Sequence, residues 1–126
     1  MLTQSHLAAA FEAITEHWSP RVVADANGQF VKLAKVKGTF VWHAHAEEDE
    51  FFLVCRGTFI LRFRDGSEVV LNAGDFHTVP RGVEHLPSAP DEAWILFVEP
   101  VQTKHTGEVV TERTRSIASQ TAHRST

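Results

Sequence analysis

Cysteine is nearly absent. Cys55 is the one thiol in 126 residues, so no intramolecular disulfide can staple the fold, and its place in the apolar run Phe51-Phe52-Leu53-Val54-Cys55 reads as a packed, inert side chain. Long hydrophobic runs are missing too. No stretch approaches the roughly 20 apolar residues that span a bilayer, and the start Met1-Leu2-Thr3-Gln4-Ser5-His6 lacks the basic region and apolar stretch of a signal peptide; no membrane partner and a cytoplasmic location are expected. Clustered positive charge is the third absence. The 12 Lys and Arg residues are scattered among 16 Asp and Glu, for a formal net charge of −4, which argues against a nucleic-acid partner.

What is present suits one packed domain, with hydrophobic residues at 43% and charged residues at 22%. From Thr3 to Trp18 the apolar residues Leu7, Phe11, Ile14 and Trp18 recur at spacings of three and four, with Ala8, Ala9 and Ala10 between them. This predicts one amphipathic helix in residues 1–19, stopped by Ser19-Pro20 and packed on the rest, with His6 and His17 on its surface. After Pro20 short runs of Val, Phe and Ile alternate with turn dipeptides such as Asn27-Gly28, Arg56-Gly57 and Asp65-Gly66. Strands are predicted at 21–26, 29–37, 39–45, 50–55, 58–64, 67–71, 76–79, 84–88 and 93–99, an all-β sandwich or barrel within residues 20–112. Residues 113–126 read as a polar, mobile C-terminal tail.

Histidine is plentiful, at eight residues. In Trp42-His43-Ala44-His45-Ala46-Glu47-Glu48-Asp49-Glu50 a strand would place His43 and His45 on one face, a natural way to offer two imidazoles to one ion. Val41 would then face inward with them, and Phe40 and Trp42 outward. Glu47, Glu48 and Asp49 read as a solvated loop. Glu50 opens the apolar strand that follows; pointing inward beside Phe52 and Val54, its carboxylate would need a cation. A second segment, Gly74-Asp75-Phe76-His77-Thr78-Val79-Pro80-Arg81-Gly82-Val83-Glu84-His85, offers His85 as a fourth ligand from a neighbouring strand.

The pattern Gly38-x4-His43-x-His45-x4-Glu50-x6-Gly57, followed by Gly74-x5-Pro80-x-Gly82-x2-His85, resembles the two motifs of the cupins. It departs from them in having four rather than five residues between Gly38 and His43, and Ala89 where an asparagine is frequent. The resemblance implies a jelly-roll β-barrel with one N-terminal α-helix, and one divalent metal ion held by His43, His45, Glu50 and His85. The helix followed by His17-Trp18-Ser19-Pro20 is also similar to a bacterial group labelled mannose-6-phosphate isomerase-like.

Three imidazoles and one carboxylate around a divalent ion leave a net charge near +1 and open coordination positions. Iron, manganese, zinc, nickel, cobalt and copper all suit such a set. One expectation is a metal-dependent enzyme, a dioxygenase, isomerase or lyase acting on a small polar or anionic molecule; the alternative is a non-catalytic binding or sensing module with a structural metal. Proton transfer would need a further group, for which His77 is the candidate. Lys32, Lys35, Arg62 and Arg64 lie on strands and are expected mainly at the solvent face. The outward apolar positions Phe40, Trp42, Phe51, Leu53 and Trp94 predict a homodimer.

Overall fold

A computed structural model of the protein describes residues 4–107, 109–111 and 114–122. These residues form two short helices, α1 (Leu7–Glu12) and α2 (Ile117–Thr121), and seven strands: β1 (Arg21–Ala26), β2 (Gln29–Thr39), β3 (Glu50–Arg56), β4 (Thr58–Phe63), β5 (Glu68–Asn72), β6 (Phe76–Val79) and β7 (His85–Pro100). All the strand pairings are antiparallel, in the order β1-β2-β7-β3-β6, with β4 joining β7 to β5. The expected all-β architecture is present, and its turns fall where the Gly dipeptides predict. Asn27 and Gly28 both take positive φ (52° and 78°), the mirror-image turn that matches strand twist.

β7 organises the rest. Its first half, from His85 to Ser88, pairs with Phe63 to Ile60 of β4, while its second half pairs with β3, and β2 runs beside both halves. One long strand thereby carries the chain across both parts of the sheet, where the sequence predicted two strands at 84–88 and 93–99. Alternation along it sends Ala89, Ala93, Ile95 and Phe97 into a core shared with Val36, Phe52, Val54, Phe59 and Leu61. Gly57 permits the tight passage from β3 to β4, since a Cβ there would lie 2.8 Å from the Glu92 carbonyl oxygen.

Two predicted elements differ. The N-terminal helix is shorter than expected: after α1 the chain turns, and Trp18 adopts φ of 57°, with its backbone N–H donating to the Lys35 carbonyl at 2.9 Å. The indole stacks on Phe40 at 4.5 Å and donates to the Lys37 carbonyl. Burying Trp18 in the barrel opening outweighs continuing the helical period. The predicted strand 39–45 is likewise absent: beyond Thr39 the chain keeps one hydrogen bond to β7, from the Phe40 N–H to the Pro87 carbonyl at 2.9 Å, and then pairs with it at an isolated His43–His85 bridge. Parity therefore fails, and Phe40 points into the core rather than outward.

The outer surface is partly covered. Phe11 of α1 stacks on Trp94 at 4.9 Å, and the Lys35 and Arg56 cations lie over the same indole. Residues 114–122, expected as mobile tail, instead pack: α2 lies against β1, with Ser116 accepting the Ser119 N–H as its cap and Gln120 buried. Residues 1–3, 108, 112, 113 and 123–126, which include both ends of the predicted segments, lie outside the described residues. Among the described residues no helix is long and apolar enough to cross a membrane.

Candidate metal centre

The four motif residues converge. One ligand atom from each of His43, His45, Glu50 and His85 lies within 4.8 Å of the others, and all four side chains are buried. Glu50 begins β3 and His85 begins β7; His43 and His45 arrive on the irregular segment between β2 and β3. That segment is held by backbone hydrogen bonds. The His43 N–H donates to the His85 carbonyl (3.1 Å), the His85 N–H to the His43 carbonyl (2.9 Å) and the Gly82 N–H to the His45 carbonyl (2.7 Å). The reciprocal pair sets the two imidazoles side by side, with ring centroids 4.4 Å apart.

Each of these rings is then oriented from behind. His43 Nδ1 donates to the Val41 carbonyl at 2.8 Å and His85 Nδ1 to the Val83 carbonyl at 2.9 Å. A carbonyl can only accept, so both rings carry their proton on Nδ1 and present a lone pair on Nε2, the arrangement that metal-ligating histidines use. Glu50 Oε1 sits 3.4 Å from His45 Nε2 and 3.5 Å from His85 Nε2, close but not aligned as hydrogen bonds. Both ring nitrogens of His45, His85 Nε2 and Glu50 Oε1 are thus buried without a hydrogen-bond partner. Buried polar atoms are otherwise paired almost throughout folded proteins, and the three that meet here, His45 Nε2, His85 Nε2 and Glu50 Oε1, are what a divalent cation would satisfy.

Electrostatics agree with that reading. Burial pushes His43 down to about 4, helped by the neighbouring His85, so the ring stays neutral at pH 7. Burial alone would raise Glu50, but the flanking His45 and His85 rings outweigh it and hold the carboxyl well below its usual range. Burial likewise opposes charge on His45, and the adjacent Glu50 more than offsets it, so that ring is pushed up. A carboxylate amid imidazoles, with no fixed cation among the four, is a cation site by charge as well as by shape.

Behind Glu50 lies a buried charge network. Lys32 of β2, 1% exposed, donates to Glu99 Oε1 and to Gln120 Oε1, each at 2.6 Å. Burial raises the Glu99 carboxyl well above its usual range, reinforced by the negative charge of Glu50. Lys32 was expected at the solvent face; it points inward, whereas Lys35 lies over Trp94, Arg62 pairs with Glu68, and Arg64 pairs with Glu84 and lies over Trp42. The sequence carried a usable signal for this inward pair. Lys32 shares parity with the core residues Ala34 and Val36, and Glu99 with Ile95 and Phe97.

A narrow cavity of about 40 Å³, room for roughly three waters, opens beside His43 and Glu50 between Trp18, Phe40, Phe52 and Phe97. His105 also lines it, a residue the sequence reading passed over within a turn-like stretch that has no periodicity. Burial pushes its ring down to about 3, with the charges of His43 and Lys32 adding to the effect. His77 stands elsewhere: on β6 it pairs with Phe52 and its ring neighbours Phe63 at 6.5 Å, and it joins neither the four-residue cluster nor the cavity wall. Burial also raises the Cys55 thiol, in keeping with an unreactive side chain.

Comparison with known proteins places the geometry in context. A family model described as the cupin domain matches residues 29–99. The uncharacterized protein YdbB of Bacillus subtilis (strain 168) is 31% identical over 85 residues, covering 68% of this chain and 75% of the relative. Among solved structures, a cupin-2 domain containing protein from Shewanella frigidimarina NCIMB 400 is 46% identical with a TM-score of 0.72, covering 74% of this chain and 90% of that one. Protein NMB1881 from Neisseria meningitidis is 26% identical with a TM-score of 0.71, covering 78% and 99%.

Proposed function

The chain belongs to the cupin family, and from that premise we propose that it is a metal-dependent enzyme that holds one divalent ion through His43, His45, Glu50 and His85. The observation that carries this reading is the set of four buried ligand residues whose ligand atoms converge within 4.8 Å, with those of His45, Glu50 and His85 unpartnered. A bound ion supplies Lewis-acid polarisation of a ligand oxygen and, if redox-active, electron-transfer chemistry. The chain's own residues do the rest: Val41 and Val83 orient two of the rings, and Trp18, Phe40, Phe52 and Phe97 give the cavity an apolar, aromatic wall.

The substrate this pocket favours is small, with an anionic or carbonyl oxygen for the ion and a short apolar body for the aromatic wall. A sugar phosphate suits it poorly, which weighs against mannose-6-phosphate isomerisation. Dioxygenase, lyase and isomerase chemistry on a smaller molecule all remain within the reading. The placement of His77 away from the cavity favours a second reading, a binding or sensing module without turnover.

Metal content decides the first step. Untagged protein, purified from its own source without chelator, is expected to carry close to one equivalent of iron, manganese, zinc, nickel, cobalt or copper by mass spectrometry. His45→Ala and Glu50→Ala should each lose most of it; unchanged stoichiometry in both would overturn the ligand set. Oxygen uptake and product formation against small carboxylic acids and diketones then separate enzyme from binding module.

A further inference from the structure

We propose that His105 is a ligand-contacting residue, its Nε2–H donating a hydrogen bond into the cavity beside His43 and Glu50 to an oxygen-bearing small molecule held there. This rests on the reading of the four-residue cluster as a metal centre, and it names the ligand class more closely: a carboxylate or carbonyl oxygen at one end and a few apolar atoms behind it.

Three features aim the ring. His105 Nδ1 accepts the backbone N–H of Arg115 at 2.9 Å, which commits that nitrogen as an acceptor and leaves the proton of the neutral ring on Nε2, in a ring that forms part of the cavity wall. The ring packs against Phe40 at 5.1 Å, and Phe40 meets the edge of His43 at 5.7 Å, so one aromatic residue spaces the donor from the ligand set. The turn that bears His105 is also keyed to the ligand segment. A Cβ at Gly107 would overlap the Ala44 carbonyl oxygen, between His43 and His45, so only glycine lets the turn close this far. The tail around Arg115 therefore does more than pack: it fixes the tautomer of a ring on the cavity wall.

Because His105 is not among the four converging ligand atoms, its loss should spare the metal and weaken what the metal holds. The test uses cobalt(II)-loaded protein titrated with azide and with acetate, followed by visible absorption. His105→Phe is expected to raise both dissociation constants about tenfold at unchanged cobalt stoichiometry, whereas His105→Gln, which keeps an N–H donor, stays within about threefold. A metal-independent check is the two-bond proton–nitrogen spectrum of the metal-free protein, expected to show His105 protonated at Nε2. Equal anion affinity in His105→Phe and wild type, cobalt lost with the ring, or a proton on Nδ1 would each overturn the proposal. Wild-type protein that takes up no cobalt would overturn the metal reading as well, so the two failures are distinguishable.

Discussion

Lys32→Met tests the buried network more sharply than any core truncation. Methionine keeps most of the stem but removes the ammonium. Lys32 and Glu99 are each 1% exposed and Nζ lies 2.6 Å from both Glu99 Oε1 and Gln120 Oε1. The substitution strands a buried carboxylate beside Glu50 and leaves an amide oxygen without its donor. Breaking a buried ion pair by removing one partner costs about 3–5 kcal/mol, and the orphaned amide overlaps with that loss rather than adding fully. Against a total stability of about 5–15 kcal/mol this is a large fraction. Replacing both partners by apolar residues is often close to neutral, so Lys32→Met with Glu99→Leu should recover at least half of the loss. The assay is urea unfolding of the metal-free proteins at pH 8, followed by the fluorescence of Trp18, Trp42 and Trp94. At that pH protonation of the stranded Glu99 gives least relief. A loss below about 1 kcal/mol for the single variant, or a double variant no better than the single, would refute the reasoning.

Acid should weaken the metal-free fold through His43. Its folded value of about 4 lies below the ordinary 6.5, so the unfolded chain binds the extra proton first; the contribution is fully present above 6.5 and is lost as pH falls toward 4. At about 1.4 kcal/mol per pH unit this amounts to about 2 kcal/mol by pH 5. His43→Asn, which does not titrate, should show a correspondingly shallower decline in urea midpoints between pH 7 and 5, and parallel curves would count against the burial argument. Gly107→Ala should displace the turn from Ala44 and cost about 2 kcal/mol, with amide exchange rising around His105; unchanged exchange would mean that the close approach is unimportant. The homodimer that we propose now has a smaller apolar face, because Phe40 is in the core and Trp94 lies under α1. Phe76, 64% exposed and 5.8 Å from Phe51, is its centre. Phe76→Asp should shift sedimentation at micromolar concentration from dimer to monomer, and a monomeric wild type would sink the dimer.

The parts of this protein legible in its sequence are those that obey local rules. Turn dipeptides such as Asn27-Gly28 punctuate the strands because φ above zero is cheap for so few residues, and period-two alternation marks the inward faces of β3 and β7. His43, His45, Glu50 and His85 stood out because their residue types and spacings are rare without an ion to hold. Tertiary structure alone decided the rest. Trp18 left the helical pattern and Phe40 left strand parity because each gains more by stacking in the barrel opening than by continuing its local period. Strand parity marks Lys32 and Glu99 as inward, but that they pair with each other and with Gln120 follows only from the β2–β7 register and the packing of α2. His105 gained its tautomer from the backbone of Arg115, a neighbour brought to it by the fold.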